Sequence, residues 1–319
     1  MRNEYKKMIA CCFFLYMALW LFDAAVTFAV KKSTKGQLGK VNKILSHNDV
    51  PSVAVFGSSV GEVGVNTSLI NHELNQSAYN YSINGTWFYQ YRGLIKDFNK
   101  HNDQTKTVIM AETYFSLSAG SGISSVERYV AHISNPDVYA PLYQIQPGLA
   151  WKCRYVPFYK YVAVSSKYYV NAFDGLNAWL KKNTGTDTLL GQAPVFRSWE
   201  ADQDEAIKNT KPFTISIDSA VVTAYRNCVR ELKQSGKNVI IVLTPVYTEV
   251  SKLITDFTPV RVALQNIAAA EKVEFWDYTL SDICSNKNFF YNSNHLNWQG
   301  SLLFTGDLVR KIKSMPGRI

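Results

Sequence analysis

Short apolar runs alternate with amphipathic stretches along most of the chain. Runs of strand length cover 53–56, 77–83, 107–112, 238–247 and 273–278, and turn-forming or polar residues border most of them. Between them lie helix-period stretches such as 219–235, where apolar residues share one face. This alternation predicts an α/β fold with three layers, in which crossover helices cover a five-stranded, mostly parallel sheet. The last helix is expected at 297–314, and four residues should face the sheet: Leu302, Leu303, Val309 and Ile312.

Residues 113–212 interrupt this alternation with a segment rich in tyrosine and tryptophan. We predict a large insertion at the carboxyl end of strand three, the edge at which open α/β sheets bind ligands. Its aromatic side chains could line a cleft or form a satellite core. The predicted organisation is a tail and membrane anchor at 1–30, a linker at 31–50, and one α/β domain at 51–319 that carries the insertion.

The amino-terminal run, residues 8–30, is apolar except for Asp23 and follows a basic tail. Its length is typical of an uncleaved signal anchor or single membrane helix. A cleavable signal peptide is the alternative, because Thr27 and Ala29 are small enough for a cleavage site. More lysines follow the run than precede it, which by the positive-inside rule favours a cytoplasmic body.

The net charge of +9 is concentrated at the amino terminus. Residues 1–43 hold eight Lys/Arg against two acidic residues, which leaves only +3 for the remainder, so nucleic-acid binding is not expected. The five cysteines form no C-x-x-C pair, which indicates neither a zinc site nor a disulfide framework. We also expect no metal and no cofactor.

Three short motifs follow predicted strands and could carry chemistry. Gly57-Ser58-Ser59 ends the first strand in a tight turn, which would expose Ser59 as a nucleophile, although glycine and serine are also ordinary turn residues. Asn84-Gly85 ends the second strand, where the Gly85 N–H could stabilise an oxyanion. Asn292-x-x-His295 follows the fifth, and His295 is the candidate general base.

The order of these motifs resembles that of the SGNH (GDSL-like) hydrolase superfamily, which has a flavodoxin-like fold: Gly-Ser-Ser, then Asn-Gly, then N-x-x-H-L-N-x-x-G. The resemblance covers residues 50–112 and 239–312. It is strongest for the membrane-anchored branch that includes the D-alanyl transfer protein of teichoic-acid modification and the alginate O-acetylation proteins. It implies Ser59 as nucleophile, with Ser58 in the place of the family's Asp, His295 as base, and the N–H groups of Ser59 and Gly85 as oxyanion donors.

Two departures from that family pattern bear on activity. The family's Asn donor after strand three is replaced by Ala111-Glu112-Thr113, so this part of the oxyanion hole is either lost or supplied by Thr113 or another group. Glu112, at the end of the strand, could be only a solvated loop charge. The family's acid, three residues before the histidine, is replaced by Asn292. In a serine triad, an Asp-to-Asn change lowers turnover by about 10⁴. Either another carboxylate, Asp277 or Asp282, orients His295, or the enzyme is slow or inactive.

The resemblance implies a membrane-anchored esterase or O-acetyltransferase that acts on a cell-envelope glycan through an acyl-serine intermediate. It also implies an extracytoplasmic main domain and a membrane-bound O-acyltransferase as partner. The alternative is a catalytically weak or inactive accessory or glycan-binding component of a machine that acylates envelope polymers.

Overall fold

The computed structural model describes residues 2–48, 50–120, 122–164, 168–181, 187–200 and 202–315. The chain forms two compact units. The sheet unit comprises residues 47–121 and 187–319, and the helical unit comprises residues 1–46 and 122–186.

Two helices begin the chain, α1 (Arg2–Lys31) and α2 (Gly36–Ser46). α1 is long and apolar enough to be a membrane anchor or a signal sequence, as the sequence predicted. α2 lies in the segment predicted as a linker, so residues 31–50 are partly helical. The α2 residue Asn42 donates hydrogen bonds from Nδ2 to the carbonyl oxygens of Val30 and Ser33, each 2.8 Å long.

Five parallel strands form the sheet: β1 (Val53–Gly57), β2 (Ala78–Asn80), β3 (Thr107–Glu112), β4 (Asn238–Leu243) and β5 (Glu274–Asp277). Their order is β2-β1-β3-β4-β5, and every neighbouring pair is parallel. β1, β2 and β3 are buried throughout, which explains why β1 and most of β3 appear in the sequence as apolar runs. The predicted five-stranded α/β architecture is confirmed. In this strand order the connections change direction between β1 and β3, so a crevice is expected at their carboxyl ends.

The remaining helices, in chain order, are α3 (Ser59–Gly64), α4 (Thr67–Leu74), α5 (Phe88–His101), α6 (Pro136–Ile145), α7 (Pro147–Tyr155), α8 (Tyr159–Val162), α9 (Tyr168–Leu180), α10 (Asp202–Asn209), α11 (Ser219–Gln234), α12 (Thr248–Ser251), α13 (Thr258–Glu271) and α14 (Trp298–Ser314). Short 3₁₀ turns occupy Val126–Arg128, Val130–His132, Asp282–Ser285 and Lys287–Phe289. A two-stranded antiparallel ribbon, β6 (Phe290–Asn292) and β7 (His295–Leu296), precedes α14.

The predicted insertion, 113–212, is divided between the two units. Residues 122–186, with α6 to α9, join α1 and α2 in the helical unit, while 113–121 and 187–212 belong to the sheet unit. The helical unit has its own small core, which includes Val26, Val30, Leu38 and Tyr161. Some of the insertion's aromatic residues therefore form a satellite core, one of the two alternatives left open by the sequence.

α14 packs against the sheet through Phe304, Leu308, Val309 and Ile312, which belong to the same core as Val53, Ile109 and Ile240. The prediction was correct for Val309 and Ile312. It was wrong for Leu303, which is 48% exposed. The face of α14 that packs on the sheet contains Phe304 and Leu308, and Leu303 lies on another side of the helix.

Candidate functional site

The junction between β1 and α3 places Ser59 at the carboxyl edge of the sheet. β1 ends at Gly57, where a Cβ atom would lie 2.4 Å from the carbonyl oxygen of Ala111 on β3, so any side chain would clash with backbone. One turn later, a Cβ atom at Gly61 would lie 2.6 Å from Ser82 Oγ. These close approaches hold α3 against the sheet. Ser59, the first residue of α3, is left half-buried at its start.

The β6–β7 ribbon positions His295 from the other end of the chain. Phe290 pairs with Leu296, and both side chains are buried in the core of the sheet unit. Asn297 then caps α14 by accepting a hydrogen bond from the Gly300 N–H, at 3.0 Å. Leu296 in the core and Asn297 at the helix cap thus fix the backbone directly after His295.

Ser59 and His295 are joined by a direct hydrogen bond. The distance from Ser59 Oγ to His295 Nε2 is 2.7 Å, although the residues are 236 positions apart. Burial lowers the pKa of His295 to about 4, so the ring is neutral at pH 7. A neutral ring nitrogen at this distance can accept the serine proton.

Asn292 holds the other ring nitrogen. Its Oδ1 lies 2.9 Å from His295 Nδ1, 3.0 Å from the His295 backbone N and 3.3 Å from the Asn294 backbone N. Two backbone N–H donors thus require the amide to present its oxygen, because the NH₂ group would face them as a second donor. His295 therefore carries its proton on Nδ1 and leaves Nε2 as the acceptor for Ser59.

Asp277, the carboxylate that we considered as an alternative orienting acid, is engaged elsewhere. Its Oδ2 accepts a hydrogen bond from Arg261 Nε, and its Oδ1 accepts hydrogen bonds from the backbone N–H and hydroxyl of Thr279 at 2.8 and 2.6 Å. Asp282, the other alternative, is exposed at the start of a 3₁₀ turn. The structure therefore brings Asn292 to His295, and it does not support Asp277 in that role.

The three predicted oxyanion donors differ in what they can offer. Ser59 contributes the N–H of a first helical residue, a position without an intrahelical acceptor. Gly85 adopts a left-handed conformation with φ of 62°, which explains the glycine there. The Thr113 N–H donates to Ser116 Oγ at 2.9 Å, and the Thr113 hydroxyl is buried without a hydrogen-bond partner among the residues that the structure describes. Only its hydroxyl remains available.

Glu112 is not the solvated loop charge that the sequence suggested. It is 0% exposed at the end of β3, and burial raises the pKa of its carboxyl to about 7, while the hydroxyls of Ser116, Tyr225 and Tyr91 offset part of that rise. The sequence contained a signal that was missed: the apolar run 107–111 continues without a turn residue into Glu112, as expected for a central strand buried on both faces.

Aromatic and basic side chains that the sequence reasoning did not single out surround the ribbon. Tyr291 lies against the His295 ring with centroids 5.5 Å apart and planes 24° from parallel, and Arg197 lies 5.4 Å from the Tyr291 centroid. Tyr114 hydrogen-bonds to Asn294. Tyr291 could have been suspected from its place within the motif, whereas nothing local in the sequence relates Arg197 to it.

Among the residues that the structure describes, a histidine-carboxylate cluster lies at the opposite edge of the sheet. It consists of His47, which precedes β1, and of Asp97 and His101 near the end of α5. His47 Nε2 lies 2.6 Å from Asp97 Oδ2, and His101 Nδ1 lies 2.8 Å from the Asp97 carbonyl oxygen. The two imidazole rings are stacked 4.0 Å apart. Lone pairs of stacked rings lie in parallel planes, so both nitrogens could bind one metal ion only after a ring turned. The cluster is a hydrogen-bonded group as it stands.

No protein-family model matches the chain, and no curated protein matches it. Among solved structures, the chain is similar to one described as "a putative platelet activating factor from Streptococcus pneumonia", with 11% sequence identity and a TM-score of 0.38. That similarity covers 92% of this chain and 98% of the other. At this identity and TM-score it assigns neither a family nor an activity.

Proposed function

We propose that this chain is a membrane-anchored serine esterase or O-acyltransferase of the SGNH type. The observation that carries the proposal is the relay from Ser59 Oγ through His295 to Asn292 Oδ1, with distances of 2.7 and 2.9 Å. A serine, a neutral imidazole that accepts from it, and a fixed acceptor behind the imidazole are what nucleophilic acyl transfer requires.

In the proposed reaction, the Ser59 hydroxyl transfers its proton to His295 Nε2 as Oγ attacks the carbonyl carbon of an O-acyl group. The oxyanion accepts hydrogen bonds from the N–H groups of Ser59 and Gly85 and from the Thr113 hydroxyl. Collapse of the tetrahedral intermediate breaks the bond to the alcohol oxygen, which takes the proton from Nε2. Water or a glycan hydroxyl then attacks the acyl-serine with His295 again as base, which gives hydrolysis or transfer respectively.

Asn292 allows this chemistry but limits its rate. Its oxygen maintains the productive tautomer, yet a neutral amide does not stabilise the imidazolium that forms during proton transfer. The low pKa of His295 has the same consequence, since a weak base gives less driving force for proton abstraction. We therefore expect a slow enzyme.

The substrate and setting rest on the family resemblance and on α1. We propose an acetyl group on a cell-envelope glycan as the substrate, an extracytoplasmic main domain, and a membrane-bound O-acyltransferase as partner. α1 would hold the enzyme close to that partner and to the polymer.

The proposal is tested with p-nitrophenyl acetate and a serine-directed fluorophosphonate on the full-length protein in detergent. Wild type should hydrolyse the ester and become labelled. Ser59→Ala should abolish labelling, because Ser59 is the serine that pairs with His295 among the residues that the structure describes. Ser58→Ala is the matched control for the neighbouring serine. Absence of labelling in wild type, or equal labelling in Ser59→Ala, would overturn the catalytic proposal.

A second candidate function is a non-catalytic accessory protein, favoured by the missing carboxylate at Asn292. Complementation separates the two candidates. If both Ser59→Ala and His295→Ala restore normal polymer acylation in cells that lack the protein, the accessory function is correct. If neither variant restores acylation although both proteins accumulate to normal levels, the enzymatic function is correct.

A further inference from the structure

The amino-terminal helix is part of the core of the helical unit. Val26, Ala29 and Val30 of α1 are buried there, and the Asp23 carboxylate lies 2.6 Å from Lys160 Nζ on α8 and 2.7 Å from the Phe158 backbone N. Removal of α1 would leave the Lys160 ammonium buried without its carboxylate, which is strongly unfavourable. The packing therefore supports a helix that stays attached over a signal peptide that is removed.

α9 packs directly on the same part of α1. A Cβ atom at Gly175 would lie 1.8 Å from the carbonyl oxygen of Ala29, so the two backbones touch. The Trp179 ring meets the edge of Phe28 with centroids 5.6 Å apart. These contacts fix the position of α9 along α1, at the residues from about 26 to 30.

The opposite face of α9 is apolar, and none of the residues that the structure describes covers it. Tyr169, Phe173, Leu176 and Leu180 follow a helical spacing of four, three and four residues, and each is at least 40% exposed. We call these four residues the α9 stripe. Large side chains in a continuous exposed row are unusual on a water-facing helix and indicate a partner.

The length of the apolar run in α1 indicates that this partner is the lipid bilayer. A helix needs about 20 apolar residues to cross the hydrocarbon core, and the apolar run begins only at Met8, after Lys6 and Lys7. Between Lys7 and Asp23 there are too few residues, so the span must extend to about Thr27. The residues of α1 that contact α9 are thus at the boundary of the bilayer, and α9 must lie there as well.

We propose that α9 is an interfacial helix that inserts the α9 stripe into the membrane beside α1. The Asp23–Lys160 pair then lies just inside the boundary, shielded by protein, as expected for ionisable groups at that depth. Trp179 and Tyr169 are well suited to the headgroup region, where amphipathic aromatic rings concentrate. The helical unit would therefore be seated on the lipid by two helices. This inference rests on the anchor within the proposed function and is independent of the chemistry at Ser59.

Spin-label accessibility in lipid vesicles tests the proposal. The background is the full chain with Cys11, Cys12 and Cys228 replaced by alanine, which leaves only the buried Cys153 and Cys284. Single variants carry a nitroxide at Phe173→Cys on the stripe, at Leu15→Cys on α1, or at Thr223→Cys on the polar side of α11. Leu180→Cys provides a second stripe position if Phe173→Cys folds poorly. The vesicles contain phosphatidylethanolamine and phosphatidylglycerol.

We expect the labels at positions 173 and 15 to collide with oxygen several-fold more than with a water-soluble nickel chelate, and the label at 223 to show the reverse. Nickel access at 173 equal to that at 223, with 15 protected, would overturn the interfacial helix and leave the anchor intact. Nickel access at 15 as well would overturn the anchor itself. An immobilised label at 173 that neither reagent reaches would show that protein, rather than lipid, covers the stripe, and would also overturn the proposal.

Discussion

At the scale of single residues, Asn292 differs from the expected aspartate in charge while it keeps the required geometry. In a serine triad, an asparagine lowers turnover because its amide turns the NH₂ group toward the imidazole and stabilises the wrong tautomer. Here the backbone N–H groups of Asn294 and His295 hold the amide oxygen toward the ring. The tautomer is preserved, and only the stabilisation of the imidazolium is lost.

This difference leads to a prediction for Asn292→Asp. A carboxylate at the same position favours the protonated imidazole, so the pKa of His295 should rise from about 4 toward its ordinary value. Turnover of p-nitrophenyl acetate at pH 8 should increase. The increase should be well under the roughly 10⁴-fold difference between Asp and Asn in a serine triad, because that difference includes a change of tautomer that does not occur here. The acid limb of the kcat/KM profile should move from near pH 4 to a higher pH.

The control for Asn292→Asp is Asn288→Asp, which adds the same charge to an exposed position in the preceding turn. It should change neither the rate nor the pH profile. If Asn292→Asp lowers turnover and leaves the acid limb in place, then the carboxylate does not act through the His295 ring, and the proposed role of Asn292 is incorrect.

At the scale of elements, the turn between β1 and α3 depends on a glycine for steric reasons. Gly57 approaches the Ala111 carbonyl so closely that only backbone movement can make room for a methyl group. Because β1 and β3 are central strands and Ser59 follows two residues later, such movement affects both stability and the position of the nucleophile.

We predict that Gly57→Ala lowers the free energy of unfolding by about 1–3 kcal/mol, the usual cost of overpacking a well-packed core. Fluorophosphonate labelling of Ser59 should slow as well. Gly306→Ala on α14 is the matched control: nothing lies within 4 Å of its Cβ position, so the change should stabilise the helix by about 0.5–1 kcal/mol. Urea denaturation and labelling rates measure both effects, and equal behaviour of the two variants would contradict the steric argument.

At the scale of the whole molecule, Glu112 makes the stability of the sheet unit depend on pH. Its pKa is raised to about 7 in the folded state, so the folded protein holds this proton more tightly than the unfolded chain, whose carboxyl titrates near 4.5. The stabilisation that this proton provides is fully present below pH 4.5 and is lost as the pH rises through 7.

Glu112→Gln should remove that pH dependence, because the amide does not ionise. Above pH 7 the variant should be more stable than wild type by up to about 3 kcal/mol, the free-energy equivalent of the raised pKa. Near pH 4.5 the two should differ little. Urea unfolding at pH 5 and pH 8 measures the difference, with Glu205→Gln at an exposed position as control. A gain that is equal at both pH values would contradict the argument.

Much of the sheet could be predicted because its information is local. β1, β3 and β4 are mainly apolar runs of five or six residues, and β3 was predicted with the observed limits, Thr107–Glu112. Ser59 and Gly85 could be found because each follows such a run closely, and His295 because its motif directly precedes the last helix. The side of α14 that faces the sheet was only partly predicted, since both sides of that helix carry leucine and only packing distinguishes Leu303 from Leu308.

The sequence by itself determined the α/β architecture, the apolar anchor-like helix and the candidate nucleophile and base, because hydrophobic periodicity and turn residues act over short distances. Tertiary structure alone decided which group orients His295, how the insertion is divided, and whether Glu112 meets solvent. These features depend on contacts between distant segments, such as the 236 residues that separate Ser59 from His295, or on the direction in which an amide is held. A one-dimensional pattern shows that an asparagine is present, but two backbone N–H groups decide which of its atoms faces the histidine.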